Sequence, residues 1–181
     1  MANLIITVIA IALVAIASLM GAYYGGSAFL EGSAKAQAAT IASQGQQIAA
    51  AWVLRANDNG NNYDTTVGAG GDLAATLVPS YLLEMPTPPT TASSGSFTAA
   101  NLTDSTSTAT YNGVRLSLAT SATDVCRKIA QAVAGQSATL TAITGNSLNP
   151  AAGRRYDCVF VDNTPAGLGD EDTKTFVYKV R

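Results

Sequence analysis

The chain has no histidine in its 181 residues. The commonest general base and metal ligand is therefore missing, and Ser-His-Asp or Cys-His catalytic arrangements are excluded. No phosphate-binding loop ending in Gly-Lys-Ser or Gly-Lys-Thr occurs, and the glycines at 68, 70 and 71 are not followed by the Lys that a nucleotide site needs. Cysteine is scarce too: Cys126 and Cys158 are the only two, they form no CxxC pair, and without histidine they make no zinc site. Charge is thin, with 12% charged residues and a net charge of −2, and the pI near 4.9 offers no basic footprint for nucleic acid. An internal repeat and a βαβ pattern are likewise absent. These shortages predict a chain that is not an enzyme and calls on no cofactor.

The most informative shortage is local, because residues 1–30 carry no charged side chain and the first is Glu31. A helix of ~30 apolar residues at ~1.5 Å rise is about 45 Å long, enough to cross a bilayer. It differs from a secretory signal peptide in having no Lys or Arg before the apolar run and in the length of that run. The mean hydropathy of +0.20 is raised by this one segment. Residues 31–54 continue as a helix of Ala, Gln, Ile and Ser, with Ile41, Ile48 and Trp52 spaced for one face. The expected organisation is a helix over 1–55, apolar over 1–30 and amphipathic over 31–55, followed by one small globular domain over 56–181. Ala10, Ala12, Ala15, Ala17, Ser18, Gly21, Gly25 and Gly26 put small residues along the apolar half, which permits close helix–helix approach. Each Gly costs about 1 kcal/mol of helix propensity relative to Ala, so Gly21, Gly25 and Gly26 mark a place where the helix is expected to stretch or melt.

In the globular part, the Asn, Asp and Gly of residues 57–71 predict a helix end near Ala56 and a surface loop. Asp72 caps a short helix that Pro79 stops. Tyr81, Leu82 and Leu83 are expected to tuck against the long helix before Pro86, Pro88 and Pro89 turn the chain. Residues 87–110 have Phe97 and Leu102 as their sole large apolar side chains and read as a surface loop or weak strand pair outside the core. Residues 111–118 alternate as a half-buried strand, with Val114, Leu116 and Leu118 on one side. Ser121 or Thr123 can cap a helix bearing Val125, Ile129 and Val133, closed by Gly135. Strands over 156–162 and 173–180 follow, joined by an acidic, Gly-rich turn. Three to four antiparallel strands packed on a long N-terminal helix make an α+β fold.

Other residues carry weaker signals. Export by a membrane-spanning N-terminus to an oxidising space predicts a Cys126–Cys158 disulfide, worth roughly 3–4 kcal/mol for a loop of about thirty residues; two buried free thiols are the alternative. Asp162, Asp170 and Asp172 are weak calcium candidates, with a plain polar turn as the alternative, and Asp58, Asn59, Asn61 and Asp64 form a second set without EF-hand spacing. Asp170, Glu171 and Asp172 read as a solvated turn rather than an acid–base pair. Asn101-Leu102-Thr103 matches a glycosylation acceptor pattern. Arg154-Arg155, the one adjacent basic pair, lends nucleic-acid binding only weak support.

An apolar N-terminal helix running into an amphipathic half, then a Gly/Asn-rich loop, an antiparallel sheet and two cysteines near the C-terminus, resembles a type IV pilin. The layout is closest to the type IVb group, whose mature chains often begin with Met, as Met1 would here. The resemblance implies a pilin fold, with the cysteine pair as the family's disulfide bounding its D-region. It implies a processed chain, its leader removed by prepilin peptidase, held in the inner membrane until an ATP-driven assembly machine extracts it. The chain would then polymerise with itself into an extracellular pilus on the bacterial surface, with cell adhesion and methylation as further family traits. Leu4, Ile5, Ile9, Ala12, Leu13, Ile16 and Leu19 would lie in the filament-core helix. One departure stands out: the family usually carries Glu at the fifth mature position, and this chain has Ile5. It bears on subunit register, on whether the pilin is a minor or specialised one, and on where the mature chain starts. The alternatives are a pseudopilin of a type II secretion system and a membrane-anchored adhesive domain that never polymerises.

Overall fold

The computed structural model describes residues 2–63, 72–103, 110–136, 140–143, 150, 153–161 and 173–180. Its elements are helix α1 (Ala2–Asp58), α2 (Leu73–Leu77), β1 (Thr98–Thr103), β2 (Thr110–Ser117), α3 (Thr123–Ala134), β3 (Thr141–Ile143), β4 (Tyr156–Val161) and β5 (Thr173–Lys179). The protein is α+β, as expected. The chain forms two compact units, Met1–Ala34 and Lys35–Arg181.

In the first unit the reason for helix is plain: residues 2–34 include no Pro, and Ala and Leu are frequent among them. The few hydroxyls bond back to the helix. Thr7 Oγ1 donates to the Asn3 carbonyl at 2.7 Å, Ser18 Oγ to Val14 at 2.6 Å and Ser33 Oγ to Leu30 at 2.9 Å.

In the second unit, the rest of α1 buries one face. Ala38, Ile41, Ile48, Trp52 and Ala56 recur at three-, four- and seven-residue steps and are all inside, as the spacing predicts for Ile41, Ile48 and Trp52. Gly45 continues that face, and a Cβ there would stand 2.7 Å from the ring of Phe176, so its missing side chain lets α1 lie directly on β5. Residues 59–61 close the helix, with Asn61 N–H donating to the Ala56 carbonyl at 2.7 Å and both Gly60 and Asn61 at positive φ.

Four strands pair antiparallel in the order β1-β2-β5-β4, and β3 joins the β4 edge in parallel, a fifth strand the sequence reading did not anticipate. In register, Leu116, Phe176 and Cys158 share one sheet face. That face meets α1 through Phe176 and α3 through Cys158. On the opposite face Ala100, Leu102, Val159 and Val177 form a second apolar cluster, with Tyr111 packed against it.

Several expectations need correcting. For residues 98–103 the strand alternative holds, but their expected place outside the core does not. They form β1, and Phe97, Ala99, Ala100 and Leu102 are buried. Alanine fills positions where a large side chain would have announced core, and Leu102 lies over Gly113, where a Cβ would come within 2.8 Å of both Leu102 Cγ and the Tyr178 carbonyl oxygen. Leu83, expected to tuck in, is 92% exposed. Neither Ser121 nor Thr123 caps α3: Ala122 holds the cap position with no side-chain bond. The turn is tied instead by Ala122 N–H to the Ala119 carbonyl and by Lys174 Nζ to the Thr120 carbonyl at 2.6 Å. Asp72 does cap α2 through the Ala74 N–H, and Gly135 closes α3 at φ 85°.

Candidate functional site

The feature that sets this chain apart is the surface of the first unit. Leu4, Ile5, Ile9, Leu13, Ile16 and Leu19 are each between 52% and 72% exposed, and Ala12 is exposed among them. The most apolar window of α1 has a mean hydropathy of 2.8, with none of it buried, and the helix is long and apolar enough to cross a membrane. That suits a membrane anchor or a signal sequence. Leu, Ile and Val left in water at this density carry a large transfer penalty, about 25 cal/mol per Å² of apolar surface. Such a helix belongs in lipid or among other apolar helices. The back-bonded Thr7, Ser18 and Ser33 hydroxyls suit either setting, because their donors are already used.

Gly21, Gly25 and Gly26 lie within this exposed stretch, and nothing stands within 4 Å of a Cβ placed on any of them. They remain helical here, as parts of α1.

The disulfide joins Cys126 of α3 to Cys158 of β4, and both residues are fully buried. Beside it, the Asp157 carboxylate, itself buried, accepts from Arg154 Nη1 at 2.7 Å and from the Cys158 N–H at 2.9 Å. A charge-assisted pair therefore orients the start of β4 next to the cross-link. Sequence reading gave Arg154 no such role, since an i,i+3 pair in extended chain follows no sequence rule.

On the solvent side of α1 in the second unit, Ala39, Thr40, Ser43, Gln44, Gln47 and Pro86 line an open groove of about 470 Å³. Gln44 Nε2 donates to the Thr87 carbonyl at 2.9 Å, which ties the Pro-rich turn to the helix. Gln44 Oε1 is buried without a hydrogen-bond partner. Nothing in the local sequence marks Gln44, because its partner lies 43 residues away.

Among the described residues no group of three or more Cys, Asp, Glu or His side chains is arranged to hold a metal. The calcium candidates Asp162, Asp170 and Asp172, and Asp64 of the second set, lie outside the described residues. Asp58, Asn59 and Asn61 serve the end of α1. Asn59 Nδ2 donates to the Arg55 carbonyl, and Asp58 Oδ2 accepts from the Tyr81 hydroxyl at 3.0 Å. That hydrogen bond, with desolvation and the charge of the same carboxylate adding to it, pushes the Tyr81 phenol above its ordinary value of 10.0.

What the fold defines is an α+β protein whose apolar N-terminal helix continues into the core of a disulfide-linked head. Comparison with protein-family models, curated proteins and solved structures finds no match for this chain.

Proposed function

We propose that this chain is a structural filament subunit of the type IV pilin kind, which polymerises with other copies of itself through the apolar part of α1. The observation that carries the reading is one continuous helix with two surfaces. Its first part exposes Leu4, Ile5, Ile9, Leu13, Ile16 and Leu19, while its second part buries Ile41, Ile48 and Trp52 in the head. A helix apolar all round is stable in lipid and equally among copies of itself, so one surface serves both a membrane-held subunit and an assembled one. On this reading the subunit waits in the inner membrane, prepilin peptidase and the assembly machine process and extract it, and the head faces outward from an extracellular filament. Its disulfide suits that oxidising location.

The test is electron microscopy of sheared cell-surface material, with the filament protein identified by mass spectrometry, for the native chain and for Ala12→Glu. Long filaments made mainly of this chain, lost in Ala12→Glu while that variant still inserts in the membrane, are the expected result. Short stubs only would favour a pseudopilin. Single membrane-bound copies in both cases would overturn polymerisation and leave an anchored domain.

A further inference from the structure

Past residue 30 the large apolar side chains left exposed, among the described residues, are Leu54 and Leu83, at 57% and 92%. They fall on one surface. The Tyr81 hydroxyl donates to Asp58 Oδ2 at 3.0 Å and Gln44 Nε2 donates to the Thr87 carbonyl at 2.9 Å, so residues 81–87 form a strap antiparallel to α1 and pinned to it at both ends. Leu54 stands one helical turn before Asp58, on the same side of α1 and next to the Tyr81 pin. Between its pins the strap bends at Leu83 and Glu84, and both residues are exposed there.

Glu84 also stands apart in charge. Elsewhere in the second unit Asp58 accepts from Tyr81, Asp72 caps α2, Asp124 pairs with Arg127 at 2.9 Å and Asp157 pairs with Arg154 at 2.7 Å. Glu84 has no hydrogen bond or ion pair among the described residues.

The opposite charge gathers where β4 begins and β5 ends. Tyr156 pairs with Tyr178, and Lys179 N–H donates to the Arg155 carbonyl at 2.7 Å, so Arg155 and Lys179 stand side by side. Arg155 is exposed, and its guanidinium has no ion pair among the described residues. Lys179 Nζ sits 3.2 Å over the centroid of the Tyr111 ring. The ring and the Lys179 stem, both half-buried, add apolar surface beside the two charges. Phe176 and Tyr178 meet α1 at Gly45, so Lys179, by alternation along β5, points to the other face of the sheet. The strap lies on α1 and Lys179 on the far face, so within one molecule the two surfaces do not meet.

We infer that the strap surface of Leu54, Leu83 and Glu84 docks on Arg155, Lys179 and Tyr111 of a neighbouring copy, with the carboxylate at the two cations and the leucines against the ring and the aliphatic stems. This rests on the filament reading given above. The contact uses two different surfaces of one chain, which is the heterologous kind that propagates into an open assembly rather than closing a dimer. The apolar helix supplies attraction without strong register; a charge pair between heads supplies register and direction.

The test is thiol cross-linking. Both native cysteines are in the disulfide, so introduced thiols are the free ones. The full-length chain carrying Glu84→Cys with Arg155→Cys is treated with a short bismaleimide in membranes and in filaments. A ladder of dimers, trimers and longer species is expected, because each copy offers both ends, and neither single-cysteine variant should give one. Filament yield after charge reversal is the second measurement. Glu84→Lys alone, or Arg155→Glu with Lys179→Glu, is expected to lose about tenfold, and the three substitutions together to regain most of the native level. Damage to the fold would not be repaired by further substitution, so rescue separates docking from misfolding. Dimers from a single-cysteine variant in place of the ladder, filaments that form without any ladder, or a reversal that the combined variant fails to rescue would overturn the docking and leave the filament reading standing. A native chain that never self-associates would overturn both.

Discussion

Gly45 is where one atom decides a packing. A Cβ there meets Phe176 Cε1 at 2.7 Å and Cζ at 2.9 Å, and Phe176 is fully buried in the layer between α1 and the sheet. Ala gains about 1 kcal/mol of helix propensity over Gly, whereas overpacking a filled core costs about 1–3 kcal/mol, so the steric term wins. Gly45→Ala is expected to lower stability by up to about 2 kcal/mol in chemical denaturation. Tyr81 gives a pH signature at the same scale. Its phenol titrates higher in the folded chain than in the unfolded one because it donates to Asp58. A raised pKa means the contribution is complete below the unfolded value of 10.0 and is lost as pH rises through the folded value. In ultraviolet titration Tyr81→Phe should remove a step lying above 10.0, and Asp58→Asn should move that step back toward 10.0.

Among the elements, α3 is the helix tied to the sheet by a cross-link. It is twelve residues long, lacks a side-chain N-cap and buries Val125, Cys126, Ile129 and Ala130. The disulfide spans 32 residues of sequence, for which the chain-entropy account gives about 3–4 kcal/mol. Replacing both cysteines by Ala is expected to cost about that much, with amide exchange rising first in α3. In α1 the glycines make the opposite prediction to Gly45. Nothing crowds Gly21, Gly25 or Gly26, so Ala at all three should raise helicity, by about 1 kcal/mol per site, as read by circular dichroism in detergent. If local melting there accompanies extraction from the membrane, the same triple variant also yields fewer filaments.

At the level of the whole molecule, the buried apolar residues run from Ala34 onward, while the exposed large apolar ones are concentrated before residue 31. The unit Lys35–Arg181 therefore holds its own core. A chain beginning at Lys35 is expected to remain folded and disulfide-linked and to elute as a monomer without detergent, where the full chain requires it. Aggregation of the shortened chain would show that residues 1–34 are needed for the fold.

The sequence by itself determined the helix and its two characters, because a run of thirty uncharged residues followed by Ile41, Ile48 and Trp52 at helical spacing admits little else. It also determined the strands around Val114, Val159 and Phe176, where alternation or β-branched runs are dense, and the cap at Asp72. Periodicity is a local property, and a single sequence displays it. Tertiary structure decided what depends on distant partners. β1 became core because Ala99 and Ala100 suit positions next to Val114 and Gly113, a fact of register rather than of composition. Gly45 and Gln44 acquired their roles from Phe176 and Thr87, far along the chain. Arg155 and Lys179 became neighbours only when β4 and β5 paired in register. Such pairings arise from chain closure, and no window of local sequence contains them.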